Sequence, residues 1–452
     1  MPRLPIGRAA ALAAAWVLSA GAATAAPAFD VLGYEVELRP DLVTGEVEGR
    51  ETVRLRSRVD GLASLDFSAG ALRLEDVRID GIPAAAPVQA DGRLTLALPQ
   101  ALRRGRTATL SFAFSGRPRR GLVATDRVLH TSYFTCDWMV CDQEAPGDMA
   151  ALDLTLDLPA GAQAVATGRP RGVRARGDRR LHRFTLERPS APFVFGWAAG
   201  EFTAAVLPGA GPELLVLSDA ASEPELARIF QDARAMIDFF EEKAGVAFPF
   251  DRYVQVVTAG SSAQEAAGLS FLGLSDVRPI LTDPEEDWAI AHELAHQWWG
   301  VLVACEDLSH FWLNEGLATF MTAAWKEHRW GRSRYDREMA LARARWDRAR
   351  AQGFDRPLNY AGTYPNLSAR RAIAYSKAAL FIDALRTEMG EAAFWRGLAA
   401  YTRRHAGRTA NSADFQAAME AAAGRSLAAS FGAWVYDQPP PGAAGAGRSP
   451  VG

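Results

Sequence analysis

The hydrophobic pattern of this chain changes period once, near residue 205, and that switch restricts the possible folds more than any other feature. Before it, the dominant period is two. Tyr34–Arg39, Val47–Arg56, Leu72–Ile79, Arg93–Leu98, Thr107–Phe112, Asp153–Leu158 and His182–Glu187 all alternate apolar and polar residues. Alternation puts apolar side chains on one face and polar ones on the other, so these runs predict half-buried strands in an antiparallel β-sandwich-like domain. Asp80-Gly81, Asp91-Gly92 and Pro159-Ala-Gly161 supply turn chemistry between them. After the switch, Leu226, Ile229, Phe230, Ala233, Ile237 and Phe240 form a helical stripe within Glu223–Lys243, ended by Gly245. Tyr253–Val257 predicts a short strand. From Asp283 to Asp437 the pattern is almost wholly helical, and a Pro/Gly/Ala-rich tail follows. The expected organisation is α+β, with a β-domain over 27–205, a mainly helical domain over 206–437 and an unstructured tail over 438–452.

With 452 residues the chain has room for two or three domains at ~100–200 residues each. Fifty basic against 53 acidic residues leave no basic excess, so no nucleic-acid partner is expected. Arg3 and Arg8 precede an apolar run, Ala9–Ala20, and the small-residue stretch Gly21–Ala26. This is the order of a secretory signal over 1–26, with Ala23-Thr24-Ala25 as the cleavage site. The run falls short of the ~20 residues that a membrane span needs. The expectation is an exported protein, periplasmic or extracellular, with no stable span after cleavage. Cys136 and Cys141 lie five apart, a spacing that leaves paired and unpaired states both open, and Cys305 is left over.

The chemistry concentrates at residues 292–296, which read His-Glu-Leu-Ala-His. Asp283 as cap, Pro284 in the first turn, Glu286 at capping-box spacing and Gly300 as terminator predict a helix around them. On that helix His292 and His296 are i and i+4, so both imidazoles leave one face and suit two nitrogen ligands on one Zn²⁺. Glu293 is rotated ~100° around the helix, beside the metal. There it can take a proton from the attacking water and later return it to the leaving amine. Glu315, nineteen residues after His296, opens a second helical stretch and can return as the third ligand. Two His, one Glu and an open fourth position make the catalytic zinc pattern, one ion per chain. His310, His328 and His405 lack ligand spacing and read as structural or surface residues. Lys377 reads as a salt-bridge partner, and the tryptophans from Trp288 to Trp330 read as core.

His-Glu-x-x-His, eighteen intervening residues and a Glu within Asn314-Glu-Gly316 resemble the gluzincin metallopeptidases of the aminopeptidase N family, peptidase family M1. Trp298-Trp299-Gly300 and Trp312-Leu313-Asn314 match that family's flanking residues. The likeness runs in order along most of the chain, through Tyr34–Arg56, Cys141-Asp142 with Pro146, Leu152–Gly168 and Pro192–Phe202. It implies an N-terminal β-domain followed by a thermolysin-like zinc catalytic domain, acting on peptides with a free N-terminus. Residues 262–269 resemble the family's Gly-Ala-Met-Glu-Asn-x-Gly-Leu segment, which implies that Glu265 binds the substrate's α-amino group. Ser262, Gln264 and Ala266 depart from that pattern, and the family's second acidic or amide group upstream has no counterpart around His130–Phe134. Tyr375 matches the family's Tyr-x-Lys-Gly-like motif, and the likeness implies a hydrogen bond from its phenol to the developing oxyanion. Leu427–Val435 resembles the end of the catalytic domain, so a short form without the family's C-terminal domains, with an open groove or one closed by a partner chain, is expected.

Two competing readings remain at this level. One is a related zinc hydrolase with endopeptidase or other amide specificity, favoured if the altered 262–266 segment no longer holds an amine. The other is an inactive zinc-bearing peptide-binding protein, against which the intact Glu293 speaks. The sequence sets neither the preferred N-terminal residue nor the oligomeric state.

Overall fold

The computed structural model describes residues 27–142, 145–261 and 263–436. The expected signal segment and C-terminal tail, together with Ser262, lie outside the described residues.

Every alternating run found in the sequence is a strand. Phe29–Pro40, Val47–Ser57, Arg73–Ile79, Thr107–Gly116, Ala150–Pro159 and Arg179–Ser190 belong to one eight-stranded sheet. Arg93–Leu102 lies in a three-stranded sheet with Leu62–Ser68 and Val88–Ala90, and a four-stranded sheet completes this half. Burial follows the pattern: along Thr107–Gly116, Ala108, Leu110, Phe112 and Phe114 point into a core shared by these sheets. Asp80-Gly81 and Asp91-Gly92 have positive φ at both residues, the backbone that two-residue hairpin turns require. One expectation needs correcting. Phe29–Pro40 pairs antiparallel with Val47–Ser57 on one side but parallel with Ala150–Pro159 on the other, so the main sheet is mixed. Local alternation cannot reveal this, because a parallel neighbour is reached only through a long crossover, here residues 41–149.

From Thr203 the chain builds a second, five-stranded mixed sheet, in the order Thr203–Leu207, Glu213–Ser218, Arg252–Thr258, Leu269–Gly273, Ala263–Ala266. Helices then dominate around their own core, which includes Trp298, Trp299, Trp312 and Trp325. The stripe over Glu223–Lys243 is two helices, Glu223–Ile229 and Ala233–Ala244, with a turn between them. All six stripe residues are nevertheless buried, since the turn returns the chain to the same face. Gly245 ends the second helix in the left-handed region at φ 63°.

The motif helix starts later than expected, at Trp288, and runs to Ala295. Asp283 closes a local turn instead, its carboxylate accepting from Glu285 N at 3.1 Å. His296 caps the helix C-terminus while keeping helical backbone angles, so the i, i+4 relation survives. The Glu315 helix, Trp312–Trp330, packs on it, followed by Arg332–Ala351. Leu367–Arg370 leads into a π-helical turn, Arg371–Lys377, which continues as Ala378–Met389. Cys136 and Cys141 form a disulfide, and Cys305 is a buried free thiol. Among the described residues no helix is long and apolar enough to cross a membrane.

Candidate active site

His292 and His296 stand one turn apart on the motif helix with their Nε2 atoms 3.2 Å from each other. Glu315 enters from the first turn of its own helix and places Oε2 3.3 Å from both nitrogens. An equilateral set of donors about 3.3 Å apart is the face of a tetrahedron whose centre lies ~2.0–2.1 Å from each corner, the bond length zinc takes with nitrogen and oxygen. His296 Nδ1 lies 3.0 Å from the Trp299 carbonyl, which assigns the proton to Nδ1 and leaves the Nε2 lone pair facing the other two donors. Glu315 Oε2 has no hydrogen-bond donor of its own. The three residues therefore fit a small divalent cation.

The surrounding field favours a cation at the same point. Burial alone opposes a charged His296, yet Glu265, Glu315 and Glu293 outweigh it and lift this imidazole to about 10. Burial carries His292 the other way, down to about 4. Glu315 is buried, but the two imidazoles more than compensate and hold its carboxyl well below the usual range.

Glu293 is buried on the motif helix, and its Oε2 has no partner. Burial, with Glu265 and Glu315 nearby, pushes its carboxyl well above the ordinary value, as a proton acceptor needs. Glu265 lies on the edge strand Ala263–Ala266, 7% exposed, with a carboxylate oxygen within 4.8 Å of Glu293 and His296 ligand atoms. Tyr375 projects from the π-helical turn and donates its phenol to Glu315 Oε1 at 2.7 Å. All six residues singled out from the sequence thus line one cavity of about 510 Å³.

The structure adds two neighbours that the sequence did not offer. Tyr133 lines the same cavity with φ 47°, an uncommon backbone for an aromatic residue. Its N–H donates to Gln264 Oε1 at 2.8 Å and its phenol to the Ala263 carbonyl. Gln264, a departure from the family pattern, therefore ties the 128–134 segment to the Glu265 strand. No spacing or composition signal marks Tyr133, because the contact joins residues 131 apart. Trp288, expected in the core, instead lines the cavity and stacks on His292 with ring centres 4.4 Å apart. Other expectations hold: Lys377 binds Asp355 at 2.8 Å, His310 binds Ser412 Oγ at 2.9 Å, and His328 stacks on Phe239.

Residues 229–434 match the peptidase family M1 domain. The match covers a little under half of the chain. Aminopeptidase N of Streptomyces lividans is 31% identical over 230 residues, covering 46% of this chain and 25% of that protein. Aminopeptidase M1 of Arabidopsis thaliana is 28% identical over 224 residues, covering 44% and 24%. The chain thus spans about a quarter of the length of these curated relatives. An M1 zinc metallopeptidase from Deinococcus radiodurans superposes with a TM-score of 0.72 at 24% identity, covering 87% of this chain and 90% of that one. A variant of that enzyme bound to a Tyr-Ser-Ala substrate gives 0.75 at 22% identity, covering 90% and 94%. The fold is therefore shared across both halves of the chain.

Proposed function

We propose that this chain is an exported zinc-dependent aminopeptidase that removes N-terminal residues from peptides. The observation that carries the reading is the meeting of Glu265, Glu293, Tyr375 and the three-donor cluster in one cavity. His292, His296 and Glu315 would hold the zinc. When bound, it supplies Lewis acidity that polarises the scissile carbonyl and acidifies water. Glu293 takes the proton of the attacking water and returns it to the leaving nitrogen. Tyr375, kept protonated because burial and Glu315 raise its phenol well above the ordinary value, swings its O–H to the developing oxyanion. Glu265 pairs with the substrate's α-ammonium and fixes the scissile bond one residue from the N-terminus. The aminopeptidase names of the curated relatives support the same reading.

Export is supported by the charged, apolar, small-residue order at the N-terminus and by the Cys136–Cys141 disulfide, which suits an oxidising compartment. A mature N-terminus at or near Ala26 in protein recovered from outside the cytoplasm checks it; an intact Met1 there refutes it.

The activity is tested with fluorogenic aminoacyl conjugates, free and N-acetylated. Free conjugates should be cleaved in a chelator-sensitive manner and acetylated ones should not. Glu293→Gln should lower kcat by on the order of 10²–10⁴ while retaining bound zinc. Equal cleavage of both conjugates would assign an endopeptidase or other amidase instead. Absence of turnover on any peptide, with binding intact, would assign a peptide-binding protein.

A further inference from the structure

Glu265 stands on Ala263–Ala266, which pairs with Leu269–Gly273 on one side and forms the edge of its sheet on the other. A ladder on one side leaves an edge strand free to bend, so a carboxylate carried on it is placed precisely only if the open side is held as well. C-terminal to Glu265 the catalytic half supplies that hold. Gln297, which follows His296 and is fully buried, donates from Nε2 to the Ala266 carbonyl at 3.0 Å and accepts from Gly268 N at 3.0 Å. N-terminal to Glu265 the hold comes from the β-domain: Tyr133 N–H donates to Gln264 Oε1 at 2.8 Å, and its phenol donates to the Ala263 carbonyl. Successive strand side chains leave opposite faces, so Gln264 meets Tyr133 while Glu265 faces Glu293 and His296.

Tyr133 is itself held from behind. Its φ of 47° is a costly backbone for an aromatic residue and persists where the surroundings over-determine it. Ser132 N donates to the Gly121 carbonyl at 2.9 Å, and Phe134 N donates to the Ser132 carbonyl at 2.5 Å. Just beyond, the Cys136–Cys141 disulfide closes a loop that is anchored in the β-domain. Cys141 exchanges backbone bonds with Ser68 at 2.8 and 3.1 Å, Val140 N donates to the buried Glu51 Oε2 at 2.9 Å, and Asp137 pairs with Arg120 at 3.1 Å. The carrier of Tyr133 is thus fixed to one half of the molecule, while Gln264 and Ala263 belong to the other.

We propose that Tyr133 and Gln264 are positioning residues for Glu265: the loop closed by Cys136–Cys141 reaches across the domain junction and sets where the amine-binding carboxylate stands relative to the donor cluster. The inference rests on the aminopeptidase reading and names what fixes its amine requirement. A carboxylate–ammonium bond is short and directional, so it weakens when the strand that carries it shifts. His292, Glu293, His296 and Glu315 stand on helices that the Tyr133 bonds do not touch. Loss of the strap therefore falls on binding of the amine and spares the hydrolytic groups.

The test compares L-leucinol with its des-amino analogue, 4-methylpentan-1-ol, as inhibitors of the zinc-loaded protein cleaving a fluorogenic aminoacyl conjugate. In the unsubstituted protein the amine should bind about ten-fold more tightly. Gln264→Leu is similar in bulk but offers Tyr133 N no acceptor. It should bring that ratio to within about two-fold and raise KM for the conjugate about ten-fold, with kcat changed less than about three-fold. Tyr133→Phe, which removes only the phenol bond, should give an intermediate ratio. An unchanged ratio in both variants overturns the positioning role while leaving the aminopeptidase reading standing. A fall in kcat as large as the rise in KM, with a lower Tm, also overturns it, because that marks a general structural defect. Equal inhibition by the two alcohols in the unsubstituted protein refutes the amine role of Glu265, and with it both the reading and the strap.

Discussion

Tyr375 shares Glu315 with the donor cluster: its phenol occupies Oε1 at 2.7 Å, while Oε2 faces the two imidazoles. The hydroxyl therefore has a holding position a short rotation away from the substrate, and its ring is kept parallel to His292 at 5.9 Å between centres. Phenylalanine preserves that stacking and removes only the donor. Tyr375→Phe is expected to lower kcat by on the order of 10²–10³ with KM changed less than about three-fold and zinc content unchanged. A fall in bound zinc instead would make Tyr375 a support for Glu315, and steady-state rates with metal analysis separate the two. At this scale the sequence was most informative where chemistry and local geometry coincide. His292, Glu293 and His296 could be read because helix periodicity alone fixes their relative directions. Tyr133 could not, because its place depends on a bond to Gln264 across the domain junction.

The element that most controls the donor set is the pair formed by the Glu315 helix and the run from Arg371 to Met389. They meet at Gly316, where an added Cβ would lie 2.4 Å from Ala378 Cβ. Glycine is required here by close approach, with no unusual backbone angle involved, and it directly follows Glu315. Gly316→Ala should force the helices apart and destabilise the metal-loaded protein by about 1–3 kcal/mol, seen as a lower Tm. Zinc affinity should fall with it, and Ala378→Gly in the same chain should restore part of both. An unchanged Tm would show that the contact relaxes freely. The π-helical turn Arg371–Lys377 belongs to the same unit and aims Tyr375 and Arg371 at the cavity. A π-turn differs from an α-turn by its hydrogen-bond register, so a hydrophobic stripe does not announce it. The late start of the motif helix was hidden for a related reason. Asp283 has the composition of a helix cap, but its carboxylate is satisfied two residues on.

Across the whole molecule, the first strand is anchored by Asp148, which accepts from Val31 N at 3.0 Å and pairs with Arg58 at 3.2 Å. Burial pushes the Asp148 carboxyl up to about 7, with Val31 N and Arg58 opposing the rise and Asp30 adding to it. The folded state thus holds this proton more tightly than the unfolded chain, where an aspartate titrates near ~4. Its contribution to stability is complete below about pH 4 and is lost as pH climbs to about 7. Asp148→Asn cannot ionise, so its loss of stability between pH 4 and 7 should be smaller by about 3 kcal/mol, measured by denaturant unfolding at several pH values. Parallel pH curves for the two proteins would refute the assignment. The sequence by itself determined the two-part architecture, the strands and the helix that sets His292, Glu293 and His296 in fixed relative directions, because each is written in a short-range period. Tertiary structure decided the parallel pairing of the first strand and the tie of Tyr133 to Gln264 beside Glu265. Those features join residues far apart in sequence, and only packing of separate cores can set such distances.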